Sequence, residues 1–239
     1  MKLSTILFMA AFLLFIGTLA AHNYSLKAAY LSGNHKKRFN DHRFMALKGV
    51  HELEIKTGNV FSIEVEYGTE EGIWLSNRIK DEVKVLQNGQ KVTIDLVMNE
   101  KNREFGNNAS EFVIVLNHLN KVQTYNYSKY DEMISGRVGT LYIKNLKERD
   151  FDVTLGDQFS FTIDSCTFGS LYAVVGEKGK NSTLQVTNDN KIDTATFDIR
   201  GGNFLELNNS EISRLNYKLS DSSRVFMTGK SIKALKNRM

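Results

Sequence analysis

At 239 residues, 41% of them hydrophobic, the chain can bury one substantial core plus a small appendage. Its net charge of +4 is mild and its charges are mixed in sign, which excludes the concentrated basic stripe of a nucleic-acid-binding protein. Proline is absent, as suits a chain dominated by ladder hydrogen bonds that proline cannot donate, and the single cysteine, Cys166, has no partner for an internal disulfide.

Behind Lys2, an apolar run covers residues 6–21 and ends in Thr18, Leu19, Ala20 and Ala21. It reads as an export signal, and two fates are open. Small residues at Thr18 and Ala20 satisfy the small-x-small cleavage rule, with a mature start at Ala21. Alternatively the segment is kept as a signal anchor, extended by Leu26, Ala28, Ala29, Tyr30 and Leu31. The run itself is slightly shorter than the ~20 residues of a full membrane span. No cysteine follows it, which excludes lipoprotein-type attachment.

Residues 22–43 form a juxtamembrane linker. Its basic residues Lys36, Lys37, Arg38 and Arg43 would by themselves favour the cytoplasmic side, whereas a following domain with its own core favours export. A solvated linker is a simpler reading of His35 to Arg38 than a phospholipid-headgroup site.

Residues 44–118 are expected to be a small N-terminal β cap. Short apolar stretches at 53–55, 61–65, 73–75, 83–85, 92–96 and 112–116 are separated by turn formers. Among these, Asn88-Gly89 is a hairpin signal. The cap would cover one open end of the following domain and merge with it near Phe112. Trp74 is expected to pack inside it, the usual place for a large aromatic ring.

Residues 119–239 are expected to form the main domain, with clear repeats over 141–235. Leu141 and Ile143 recur as Phe161 and Ile163, Leu184 and Val186, Leu205 and Leu207, then Val225 and Met227. A second series runs from Phe151, Val153 and Leu155 through Leu171, Ala173 and Val175, then Ala195, Phe197 and Ile199, to Leu215, Tyr217 and Leu219. The steps are 20 to 24 residues, as differences between these positions show, and apolar residues alternate within each unit. Period two marks strands with one buried face, and a fixed step of this length marks a solenoid. Turn formers keep the same phase: Asn145, Ser165, Asn188, Asn209 and Gly229 after one strand, Gly156, Gly176, Gly201 and Ser220 after the other. The fold class is therefore all-β, a parallel β-helix or solenoid with ~20-residue rungs, preceded by a β cap and an N-terminal apolar helix. The last rung, past Val225, has an incomplete core, so this end is expected to fray or self-associate.

Residues 123–138 break the rhythm and read as an inserted loop. Insertions in solenoids gather on one face, often the binding face. Tyr125, Tyr127 and Tyr130 are accordingly the candidate ligand surface, suited to stacking on sugar rings. The plainer reading packs one or two of them against the domain.

This pattern, from Leu47-Lys48-Gly49-Val50-His51-Glu52-Leu53-Glu54-Ile55 to Leu235, resembles the auto-transporter adhesin head family, also called the GIN domain. The resemblance rests on diffuse hydrophobic spacing and not on an invariant motif. It implies an N-terminal membrane segment or signal, a short β region, parallel β-solenoid rungs and surface adhesion, and it carries over no catalytic residue.

Catalysis on such a scaffold would require carboxylates stacked on adjacent rungs. The outward rows read Tyr142, Thr162, Gln185, Glu206, Phe226; Asp152, Tyr172, Thr196, Asn216; and Thr154, Val174, Asp198, Lys218. None stacks two acids, and Asp198 with Lys218 would form a weak ion pair. The five histidines, at 22, 35, 42, 51 and 118, lack metal-site spacing, and no phosphate loop, nucleophile elbow or calcium-binding nonapeptide recurs. Cys166, in an apolar phase, reads as core filler. No enzyme activity, cofactor or metal is expected. The expected protein is a non-catalytic envelope β-solenoid, membrane-anchored or secreted, whose partners are the membrane and a cell-surface glycan or protein. The alternatives are a polysaccharide-acting envelope enzyme and a membrane-associated regulatory or assembly module.

Overall fold

The computed structural model describes residues 3–31, 38–57, 61–97, 112–125, 138–176 and 180–236. Residues 1–42 and 43–239 are two separate units.

The first unit contains helix α1 (Leu3–Leu31), 29 residues without a proline to stop it. Its stretch Leu7–Lys27 is long and apolar enough to cross a membrane, 21 residues that rise about 31 Å. The apolar helix is thus longer than the run at 6–21, because the sequence beyond Ala21 continues the helix. A signal or an anchor fits equally.

Among its described residues, the second unit is built mostly of strands. They are β1 (His42–Ala46, starting at the last residue of the first unit), β2 (Glu52–Ile55), β3 (Ser62–Tyr67), β4 (Gly72–Ser76), β5 (Val83–Asn88) and β6 (Lys91–Leu96). Then follow β7 (Phe112–Leu116), β8 (Lys121–Thr124), β9 (Gly139–Lys144), β10 (Lys147–Leu155), β11 (Phe159–Asp164) and β12 (Thr167–Val175). Last come β13 (Lys180–Thr187), β14 (Lys191–Ile199), β15 (Gly202–Asn208), β16 (Glu211–Leu219) and β17 (Arg224–Thr228), a 3₁₀ turn (Gly229–Ile232) and a short helix α2 (Lys233–Lys236).

These strands form two large sheets, one of nine strands in the order β1-β4-β7-β3-β9-β11-β13-β15-β17 and one of eight in the order β16-β14-β12-β10-β8-β2-β6-β5. From β9 onward the chain alternates between the sheets, and each strand pairs in parallel with the one two places on. In the nine-stranded sheet the register aligns Leu141, Phe161, Leu184, Leu205 and Val225. In the other it aligns Val153, Ala173, Phe197 and Tyr217. The architecture is two ladders and not a closed coil, because hydrogen bonds run along each sheet while only turns pass between the sheets. Inward side chains of both sheets share one core, in which Phe151, Phe161, Phe168 and Phe197 are fully buried. Each contributes roughly 1.5–3 kcal/mol through burial.

The turns explain how the chain reverses so often without proline. Asn145, Ser165, Asn188, Asn209 and Gly229 all take left-handed backbone angles, with φ of 61°, 54°, 52°, 54° and 58°. This conformation costs other L-residues roughly 1–2 kcal/mol, and Gly and Asn adopt it most readily. In the second column only Gly176 and Gly201 do so, at φ 77° and 59°.

Strands β1–β7 belong to the same two sheets and lie together at one end of each. β3 lies between β7 and β9, and β2 between β6 and β8, all in parallel. Antiparallel pairing occurs in β4 with β7 and in the hairpin of β5 and β6, whose loop is Gly89-Gln90. Gly89 supplies the positive φ (59°) of that tight turn. Trp74 of β4 packs on the Phe44 ring, 4.8 Å between centroids.

Candidate functional site

The outer face of the nine-stranded sheet carries two adjacent polar rows. Pairing aligns Glu64, Tyr142, Thr162, Gln185, Glu206 and Phe226 in one, and Glu66, Lys144, Asp164, Thr187, Asn208 and Thr228 in the other. Several side chains bond within a row or across to the other. Thr162 Oγ1 donates to Gln185 Oε1 at 3.0 Å, and Gln185 Nε2 donates to Glu206 at 2.8 Å. Lys144 Nζ contacts the Glu64 carboxylate and lies 3.4 Å from that of Glu66. The Tyr142 hydroxyl donates to Asp164, which also accepts from Ser165 Oγ at 2.8 Å and Asn188 Nδ2 at 3.3 Å.

These contacts hold Tyr142, Asp164 and Lys144 in their resting forms. Burial, then the hydrogen bond to anionic Asp164, pushes the Tyr142 phenol up to about 12. Burial alone would raise the Asp164 carboxyl, but hydrogen bonds from Tyr142, Ser165 and Asn188 and the Lys144 charge outweigh it and hold it below its ordinary value. Burial likewise opposes the Lys144 charge, and Glu64 and Glu66 more than restore it, so its pKa is raised. Near neutral pH the set is a neutral phenol, a carboxylate and an ammonium. All three shifts lead away from the range that suits proton transfer.

The first of these rows was readable from spacing within residues 141–235, but Glu64 and Glu66 were not. They arrive from β3, 78 residues before their partners in β9 (142 minus 64) and outside any repeat. Asp198 and Lys218 do stand opposite each other in register. The Asp198 carboxylate is nevertheless taken by Arg200, with Nε and Nη2 at 2.9 and 2.8 Å, because the planar guanidinium matches a carboxylate and sits only two residues away. On the eight-stranded sheet, Glu54 accepts from Thr93 at 2.9 Å and pairs with Lys91 at 3.1 Å and Lys56 at 3.4 Å. Burial opposes its charge, but these partners keep its carboxyl below the usual value. His51 and His118 stack with rings 5.7 Å apart, and His118 Nδ1 lies 3.3 Å from Glu148.

Of the three candidate tyrosines, Tyr125 follows β8, is 39% exposed and donates its backbone N–H to Ile55. Tyr127 and Tyr130 lie outside the described residues, as does most of the loop they belong to. Cys166 is fully buried, and burial pushes its thiol up to about 12, so it is neutral and inert. It shares a corner column with Asn190, Ser210 and Ser231. Asn190 Oδ1 accepts the Cys166 N–H at 2.8 Å, and Ser231 Oγ accepts that of Ser210 at 3.0 Å. Among the described residues, no three His, Cys, Asp or Glu side chains gather as a metal site.

A second surface feature lies at the outermost strands, β16 and β17. Tyr217, Leu219, Val225, Met227, Ile232 and Leu235 line an open pocket of about 360 Å³ there.

No family model matches the chain, and no curated protein matches it. Among solved structures it is similar to a candidate adhesin from Bacteroides fragilis NCTC 9343, at TM-score 0.50 and 14% identity, over 78% of this chain and 91% of that one. It also matches a candidate lipid-binding protein from Parabacteroides distasonis ATCC 8503, at TM-score 0.38 and 10% identity, over 79% and 94%. A candidate adhesin from Parabacteroides merdae ATCC 43184 matches at TM-score 0.28 and 8% identity, over 79% and 95%. What the chain shares with the Bacteroides fragilis protein is an all-β fold.

Proposed function

We propose that this chain is a non-catalytic protein of the cell envelope, held or exported by α1, that presents the outer face of its nine-stranded sheet as a rigid binding surface. The observation that carries this reading is the pair of aligned polar rows between Glu64 and Glu206, with its three bonded sets centred on Lys144, Asp164 and Gln185. Its side chains bond to one another, and Tyr142, Lys144 and Asp164 are shifted away from the range that suits proton transfer. Such a face offers fixed donors and acceptors to a glycan or protein and no poised acid or base. Each strand–turn–strand unit of about 20 residues acts as one rung of an open two-sheet solenoid, in the manner of the GIN-domain family that the sequence resembles. Adhesion, the description attached to the Bacteroides fragilis protein of similar fold, is the form of binding we favour. Tyr125, Tyr127 and Tyr130 belong to the same reading as an accessory contact.

The test is a panel of cell-surface glycans and matrix proteins probed with the full chain. Binding that weakens at least tenfold on Gln185→Ala, with every glycan recovered intact, is the expected result. Depolymerisation of any glycan would replace this reading with an enzymatic one.

A further inference from the structure

The last layer of the domain is built like the layers before it but is covered only in part. Phe197 and Ile199 are fully buried, whereas Tyr217 and Leu219, which follow them in register, are 41% and 39% exposed. Val225 and Met227 follow the fully buried Leu205 and Leu207 and are only partly covered. Helix α2 accounts for the difference. Ala234 packs into the core together with Ile212 and Leu215, so the first half of β16 is closed, while the half holding Tyr217 and Leu219 opens into the pocket beside β17.

β16 and β17 are the outermost strands of their sheets. An outermost strand presents a row of backbone donors and acceptors that another extended chain can pair with. The pocket beneath is apolar and suits the alternate side chains of such a chain. The surrounding sequence decides which chain. Residues 211–236 contain Arg214, Lys218, Arg224, Lys230, Lys233 and Lys236 against Glu211 and Asp221, and Asp189 of the layer before pairs with Lys230 at 3.5 Å, so six positive charges meet three negative ones, or net +3. A second copy meeting this end symmetrically would set this positive excess against itself, which disfavours it.

We infer that the β16–β17 end is a docking site for an extended, acidic segment of another protein. The segment pairs alongside β17, places alternate apolar side chains in the pocket formed by Tyr217, Leu219, Val225, Met227, Ile232 and Leu235, and points its carboxylates at the basic rim. This site is distinct from the polar sheet face, and its failure would leave the proposed function of that face standing.

The probe is a fluorescent peptide that alternates valine with glutamate, compared with one in which lysine replaces every glutamate. Both are titrated against the full chain in neutral lipid nanodiscs. The inference expects saturable binding of the acidic peptide, at least tenfold tighter than the lysine peptide and weakened by salt. It also expects at least tenfold loss on Ile232→Glu, a substitution at a residue that is 43% exposed and so leaves the core intact, and on Arg224→Glu. Absence of acidic-peptide binding, equal binding of both peptides, or indifference to both substitutions would overturn it. Pairing of discs by mass photometry, abolished by Ile232→Glu, would also overturn it and assign the end to a second copy of the chain.

Discussion

Tyr142 and Asp164 show how single residues on the sheet face are tuned. The phenol's pKa in the fold, about 12, lies above its usual value. Its stabilising effect is therefore complete below pH ~10 and is lost as pH rises through the folded value. Asp164 is shifted the other way, so its effect is present above the usual carboxylate range and is lost as pH falls through its lowered value. Wild-type protein should accordingly lose melting temperature between pH 10 and pH 12 more steeply than Tyr142→Phe, a comparison that differential scanning fluorimetry can make directly. Asn190 gives a second test. It is fully buried, its Oδ1 serves the Cys166 N–H and its Nδ2 the Ile163 carbonyl. Asn190→Ala leaves the buried Cys166 N–H without this acceptor and should cost about 1–3 kcal/mol in urea unfolding. Neither contact was legible beforehand: the apolar rhythm fixes which way a side chain points, whereas a polar corner bond depends on how each turn is closed.

For the elements, the left-handed turns and the in-register apolar stacks are separable contributions. Asn145 begins one column at φ 61°. Asn145→Gly should leave stability within about 0.5 kcal/mol, whereas Asn145→Ala should lower it by roughly 1 kcal/mol, since only the second adds strain. Phe161 lies fully buried between Leu141 and Leu184, and Phe161→Ala should cost about 3–5 kcal/mol through lost burial and the cavity left behind. Turns and strands of residues 141–235 were readable because each unit restates the last. The strands of 44–118 were readable one at a time from alternation, but their places were not. β2 and β3 pair with β8 and β9, which joins all seven strands to one end of the later ladders, and nothing in local spacing encodes contacts 69 residues or more apart (122 minus 53 is 69, and 141 minus 63 is 78). β1 was missed for a related reason, since the basic residues before it and Arg43 within it read as linker.

At the scale of the whole molecule, an apolar N-terminal helix precedes a two-sheet domain that carries a bonded polar face. The proposed binding role requires the domain to be delivered across a membrane, and the basic residues beside the helix make orientation the point to test. The chain provides its own reporter, since its one cysteine is fully buried and a second can be placed at Arg149, whose side chain is 94% exposed. Spheroplasts of cells expressing the full-length chain, treated with a membrane-impermeant maleimide, should label Arg149→Cys and leave the wild type unlabelled. Labelling of Arg149→Cys only after lysis would place the domain in the cytoplasm and contradict an envelope binding role.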